Sequence, residues 1–134
     1  MPAKEVSGEV LAGISTKLVQ LHHRVFGRGP TTAKSFFVDE DTVVCLLRGG
    51  LTTVEKTLVD EDDVDAVHRL RRDRREAMKR PAKDIVEKAT GRRVTASISE
   101  IRPEADLAME VFVLEPEESD GEKPELETGG RSRQ

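Results

Sequence analysis

The sequence predicts an α+β fold, with helices packed on a mostly antiparallel four-stranded sheet. Three features carry this: an amphipathic helical stripe opens the chain, two pairs of β-branched runs are each joined by a short link, Asp39-Glu40-Asp41 in the first and Arg102-Pro103-Glu104-Ala105-Asp106 in the second, and a helical stretch separates the pairs. The order is helix, strand, strand, helix, strand, strand. A chain of 134 residues is the size of one domain, placed at 1–115. We expect 116–134 to be a disordered acidic tail, because six acids face three bases there and Leu126 is its one large apolar residue, so ordering it would cost entropy with little burial in return.

Val10, Leu11, Ile14, Leu18, Leu21 and Val25 recur at spacings of three and four, which makes Val6 to Phe26 a helix with one apolar face. Ser7 is its expected N-cap, and Gly27 with Gly29-Pro30 ends it. Thr32–Val38 and Thr42–Arg48 follow as a hairpin around Asp39-Glu40-Asp41. Its second strand is apolar at five consecutive positions, Val43 to Leu47, so both faces should be covered, one of them by a second protomer or another element. Thr52-Thr53-Val54-Glu55 has capping-box spacing and starts a short helix. The acids Asp60, Glu61, Asp62, Asp63 and Asp65 then precede a long helix to about Ala89, ended by Gly91, with a kink or break expected near Lys79 and Arg80 because of Pro81. The second hairpin is Arg93–Ile101, with Val94, Ala96 and Ile98 on one face, and Leu107–Leu114, with Phe112 and Leu114 opposite Leu107, Met109, Val111 and Val113.

Several functions find no support. No apolar run approaches the ~20 residues that cross a bilayer, and no signal peptide opens the chain, so the expectation is a cytoplasmic protein that is not itself membrane-spanning. The histidines His22, His23 and His68 lack metal-ligand spacing and read as surface or boundary residues. Cys45 lies mid-strand and reads as core. No nucleophile elbow or P-loop is present, so we expect no enzyme, no catalytic residues, no metal and no cofactor. From Arg69 to Arg80 seven bases, Arg71, Arg72 and Arg75 among them, face two acids. That run reads either as a solvated helix face or as a stripe for phosphate backbone, anionic membrane or acidic protein. Nucleic acid is the less favoured partner, since Trp and Tyr are absent and stacking platforms are few.

Gly27-Arg28-Gly29-Pro30, Val43 to Leu47 with Arg48-Gly49-Gly50-Leu51-Thr52, Glu55-Lys56-Thr57-Leu58, and Glu110 to Glu115 together resemble a small bacterial family, formerly a domain of unknown function, named MpsC after a sodium-translocating, membrane-potential-generating system. The resemblance spans about Val6 to Glu115. It implies an accessory component working with membrane partners in cation or inorganic-carbon transport. Combined with the residues, it suggests a homodimeric adaptor that meets a membrane-protein partner through Gly27, Arg28, Gly29 and Pro30, through Arg48, Gly49 and Gly50, and through the basic helix at Arg71, Arg72 and Arg75. Glycine permits close backbone approach, and arginine offers a planar donor fork to a carboxylate or phosphate. The plain alternative is that these glycines only end elements.

Overall fold

In the computed structural model, which describes residues 8–117, helix α1 (Gly8–Phe26) buries the predicted stripe through Ile14, Leu18 and Leu21, together with the polar Ser15 and His22. Gly27, at φ +83°, closes it by donating to the His23 carbonyl at 2.8 Å. Ser7, the expected N-cap, lies outside the described residues, as does 118–134 of the expected tail. Strands β1 (Thr32–Asp39) and β2 (Thr42–Arg48) form the first hairpin, and β3 (Val94–Arg102) and β4 (Leu107–Leu114) the second. All pairings are antiparallel and the order is β1-β2-β4-β3, so the second strand of each hairpin meets the other at the centre. Arg92 ties the two hairpins by donating to the carbonyls of Glu40 and Glu115 and pairing with Asp41.

Between the hairpins the chain forms α2 (Thr53–Asp60), α3 (Val64–Asp73) and α4 (Arg75–Thr90). The break expected near Pro81 falls instead at Arg74, which ends α3 and begins α4, while α4 runs on through Pro81. The reason is packing. Helix α4 lies along α1, while α3 packs against α2 and the 3-10 turn Pro103–Ala105, and one straight helix could not follow both directions. Ala77, whose carbonyl loses its partner to the proline, is exposed, so water can satisfy it. Gly91 ends α4 at φ +73°, the left-handed position where glycine costs least.

Helices α1 and α4 cover one face of the sheet. Val43, Cys45 and Leu47 of β2 and Phe112 and Leu114 of β4 face them and are at most 1 % exposed. The strand register puts the alternate residues on the opposite face in cross-strand rows: Phe36, Val44, Val111 and Ile98 form one row, and Lys34, Leu46, Met109 and Glu100 the next. Among the described residues no helix packs across this face. Its central side chains are half-buried, Ile98 is 56 % exposed, and Lys34 and Glu100 stand exposed at opposite edges. The described residues therefore cover only one side of the Val43–Leu47 segment. A register shift between Val94 and Ala96 corrects another expectation: it turns Val94 inward beside Leu114, while Ala96 and Ile98 face out.

Candidate functional site

Two buried glutamates anchor the polar interior, Glu55 on α2 and Glu110 in the middle of β4. Glu55 sits in the first turn of α2, where the predicted capping box forms: Thr52 Oγ1 accepts the Glu55 N–H at 3.1 Å and Glu55 Oε1 accepts the Thr52 N–H at 2.9 Å. Arg71 of α3 grips the same carboxylate with a planar fork, Nε to Oε2 at 2.6 Å and Nη2 to Oε1 at 2.7 Å. Its Nη2 also donates to the Gly50 carbonyl at 3.3 Å, and its guanidinium stacks 4.0 Å from the centroid of the Phe26 ring. Burial alone would raise the Glu55 pKa, but Arg71 and the Thr52 hydrogen bonds outweigh it and hold the carboxyl below its ordinary value.

Glu110 lies on the helix-facing side of β4, between Cys45 of β2 and Ser99 of β3. No arginine grips it. Burial pushes its pKa up to about 7, against the Ser99 hydroxyl, which donates to Oε1 at 2.6 Å, and the positive charge of Arg71. His22 of α1 brings Nε2 to 3.9 Å from Glu110 Oε2, yet this buried nitrogen has no hydrogen-bond partner. Desolvation, and then the charge of Arg71, lower the imidazole to about 4, so it is neutral at pH 7 and the contact is not an ion pair. Ser35, Cys45, Glu110 and Ser99 form one polar cross-strand row in an otherwise apolar core. Ser15 Oγ extends it from α1, 2.7 Å from Ser35 Oγ, and the Ser35 hydroxyl donates to Cys45 Sγ at 3.2 Å. Burial first, and Glu110 to a lesser degree, drive the Cys45 thiol up to about 11 against that bond, so it is inert as a nucleophile near neutral pH.

This row opens into a cavity of about 300 Å³ between α1, α3, α4 and strands β3 and β4. Its buried polar lining is His22 and Glu110, with Ser97 and Ser99 of the edge strand β3 beside them on the wall and Phe26, Met78 and Phe112 among its apolar residues. Arg72, Arg75 and Lys79, all exposed, line its mouth.

The two glycine turns singled out in the sequence come together. The Thr31 N–H donates to the Arg48 carbonyl at 2.7 Å, and Gly50 lies against Pro30. Gly49, at φ +77°, admits no side chain, because a Cβ there would collide with Thr31 Oγ1. Gly29 has its backbone against Val19, and Arg71 links this turn pair to Glu55 through the Gly50 carbonyl. Arg48 is exposed, and Arg28 is half-buried with an unpartnered Nε. The basic run is divided: Arg71 turns inward, whereas Arg72 and Arg75 reach the cavity mouth. His22 corrects the expectation of a surface or boundary histidine, being 4 % exposed. Sequence reasoning also missed Glu110, although the alternation that sends Phe112 and Leu114 inward sends Glu110 inward too.

Among the described residues no His, Cys, Asp or Glu cluster has the arrangement to hold a metal ion, and no helix is long and apolar enough to cross a membrane. The chain matches no curated protein and no solved structure. A family model does match, over residues 7–116, nearly all of the described fold and both carboxylate sites. The chain thus belongs to the MpsC family, described as the Na+-translocating membrane potential-generating system (MpsC).

Proposed function

We propose that this chain is a non-enzymatic accessory component of a sodium-translocating, membrane-potential-generating system, and that it acts as a homodimer joined through the open faces of its sheets. The family supports the setting. The observation that carries the dimer is the pattern of the open face. Two sheets packing face to face with roughly aligned strands lie ~10 Å apart. A two-fold axis along the strands sets β1 over the partner's β3 and β2 over its β4. Phe36 then faces Ile98 of the partner subunit, Val44 faces the partner's Val111, and Leu46 faces the partner's Met109. Lys34 meets Glu100 of the partner subunit at both edges, and no like charges oppose each other. Four strands ~4.8 Å apart and about seven residues long give roughly 900 Å² of projected face between two copies. Side-chain relief takes this toward the ~1,000 Å² that is the lower limit for a specific interface, below the ~1,200–2,000 Å² of most stable ones.

The membrane-system partner docks at the end of the sheet where the Gly27–Pro30 and Arg48–Gly50 turns meet, with Arg28 and Arg48 as donors to a carboxylate. The exposure of Arg48 beside Gly49 and Gly50 supports this placement. The protein works from the cytoplasm and reaches the membrane through that partner.

Light scattering tests the dimer. The expected outcome is a dimer at micromolar concentration, weakened about tenfold by Lys34→Glu and restored by Lys34→Glu combined with Glu100→Lys. A monomeric wild type, or a charge reversal that is not rescued by the swap, refutes this interface.

A further inference from the structure

We propose that the cavity between α1, α3, α4 and the β3–β4 end of the sheet binds a small organic acid: a carboxylate on an apolar body that carries a second polar group at its far end. Three independent features of the cavity specify these three parts.

The first is the mouth. Among the described residues, no side-chain hydrogen bond or ion pair engages Arg72, Arg75 or Lys79, in contrast to Arg71 just inside, which bonds Glu55 and the Gly50 carbonyl and stacks on Phe26. Glu100, which also borders the cavity from the edge strand, is bonded to Arg102 at 3.0 Å. Two guanidinium forks and an ammonium at one rim favour an anionic group, which the forks can hold in a bidentate manner.

The second is the wall. Phe26, Met78, Ala82 and Phe112 line the passage inward, so an inorganic anion resting at the mouth would leave apolar surface facing trapped water. At about 300 Å³ the cavity stands at the lower end of the ~300–1,000 Å³ range of small-molecule pockets, which fits a compact ring or short branched chain.

The third is the inner end. His22 Nε2 is buried and unpartnered, and native structures rarely leave such an atom unsatisfied without a reason. A ligand hydroxyl can either donate to this nitrogen or accept from it, and Ser97 lines the same cavity. The polar row thus forms the reading end of the site, and the basic rim its anchor.

The probe is 4-hydroxybenzoate, titrated into the full chain and followed through backbone amide chemical shifts. The expected result is saturable shifts at His22, Arg75 and Ser99 with a Kd of about 1 mM. 4-Hydroxybenzyl alcohol, which lacks the charge, should bind about tenfold more weakly, and benzoate, which lacks the hydroxyl, about fivefold. Arg72→Ala with Arg75→Ala, both at exposed positions, should lower acid affinity about tenfold and leave the alcohol unaffected. His22→Phe should erase the preference for 4-hydroxybenzoate over benzoate. Equal binding of acid and alcohol, shifts confined to the open sheet face, or no saturable response to 4-hydroxybenzoate overturns the proposal. None of these readouts depends on the oligomeric state, so this site and the dimer stand or fall separately.

Discussion

Glu55 and Glu110 are both buried carboxylates, 3 % and 8 % exposed, yet their environments drive them in opposite directions. Glu55 is gripped by a fork of Arg71 and two capping hydrogen bonds, and its pKa falls. Glu110 has one hydroxyl and a neutral imidazole for company, and its pKa rises to about 7. Burial alone does not decide what a buried acid does; the placement of the one nearby cation does. Glu55 serves as a fixed negative point that orients Arg71 and joins α2, α3 and the glycine turns. Glu110 is left close to half-protonated at neutral pH and faces a cavity, the condition of a group that responds to whatever enters.

The comparison breaks most sharply at Arg71. Arg71→Met should destabilise the fold by about 3–5 kcal/mol, because it leaves the Glu55 carboxylate buried without its counter-ion. Urea denaturation at pH 7 would measure this. Adding Glu55→Gln to Arg71→Met should recover much of the loss, since the uncompensated charge is then gone. Without Arg71, Glu55 moves toward the behaviour of Glu110, and the distinction between the two acids should fade.

A smaller effect should follow from Glu110→Gln, which keeps the shape and the Ser99 hydrogen bond but cannot ionise. A carboxyl raised from 4.5 to about 7 remains protonated in the fold at pH values where the unfolded chain has lost its proton, so its contribution to stability falls as pH rises across that window. His22, lowered from 6.5 to about 4, acts with the opposite sign, and its contribution increases with pH between those values. The two should nearly cancel between about pH 4.5 and 6.5 in the wild type, leaving a net loss toward neutrality. Glu110→Gln should remove that loss and raise stability at pH 8 by up to about 3 kcal/mol. Thermal unfolding from pH 4 to 8 would show it; identical profiles for the two proteins would mean that Glu110 ionises as an ordinary carboxyl.

These two acids also mark how far local sequence carries. The capping box at Thr52 and Glu55, the α1 stripe, the stop at Gly91 and the alternation of β4 are set by residues within a few positions of each other, and each forms as the spacing implies. What local spacing does not contain is the partner of a buried group. Arg71 finds Glu55 across 16 positions and Ser99 finds Glu110 across 11, and nothing in the basic run distinguishes Arg71, which turns in, from Arg72, which stays out. The break at Arg74 was hidden for the same reason: two packing directions impose it, and no residue there signals it as Pro81 seemed to. The register shift after Val94 likewise depends on β4 across the ladder. Glu110 was within reach, because an acid in phase with inward Phe112 and Leu114 is either buried or the alternation is wrong.

The finest discrimination between the two acids comes from Thr52→Ala. It deletes the hydroxyl that accepts the Glu55 N–H but leaves the Thr52 N–H, which still donates to Glu55 Oε1, and leaves both Arg71 contacts in place. The cost should therefore be that of an N-cap, about 1 kcal/mol, and Thr52→Ser should recover most of it. If Arg71 is what holds Glu55 ionised, acid titration of Thr52→Ala should still show a depressed Glu55 pKa, whereas Arg71→Met should not. A loss in Thr52→Ala as large as that in Arg71→Met would make the cap, and not the cation, the source of the contrast with Glu110. The contrast between the two glutamates would then rest on the first turn of α2, which the Thr52 hydroxyl holds, rather than on Arg71.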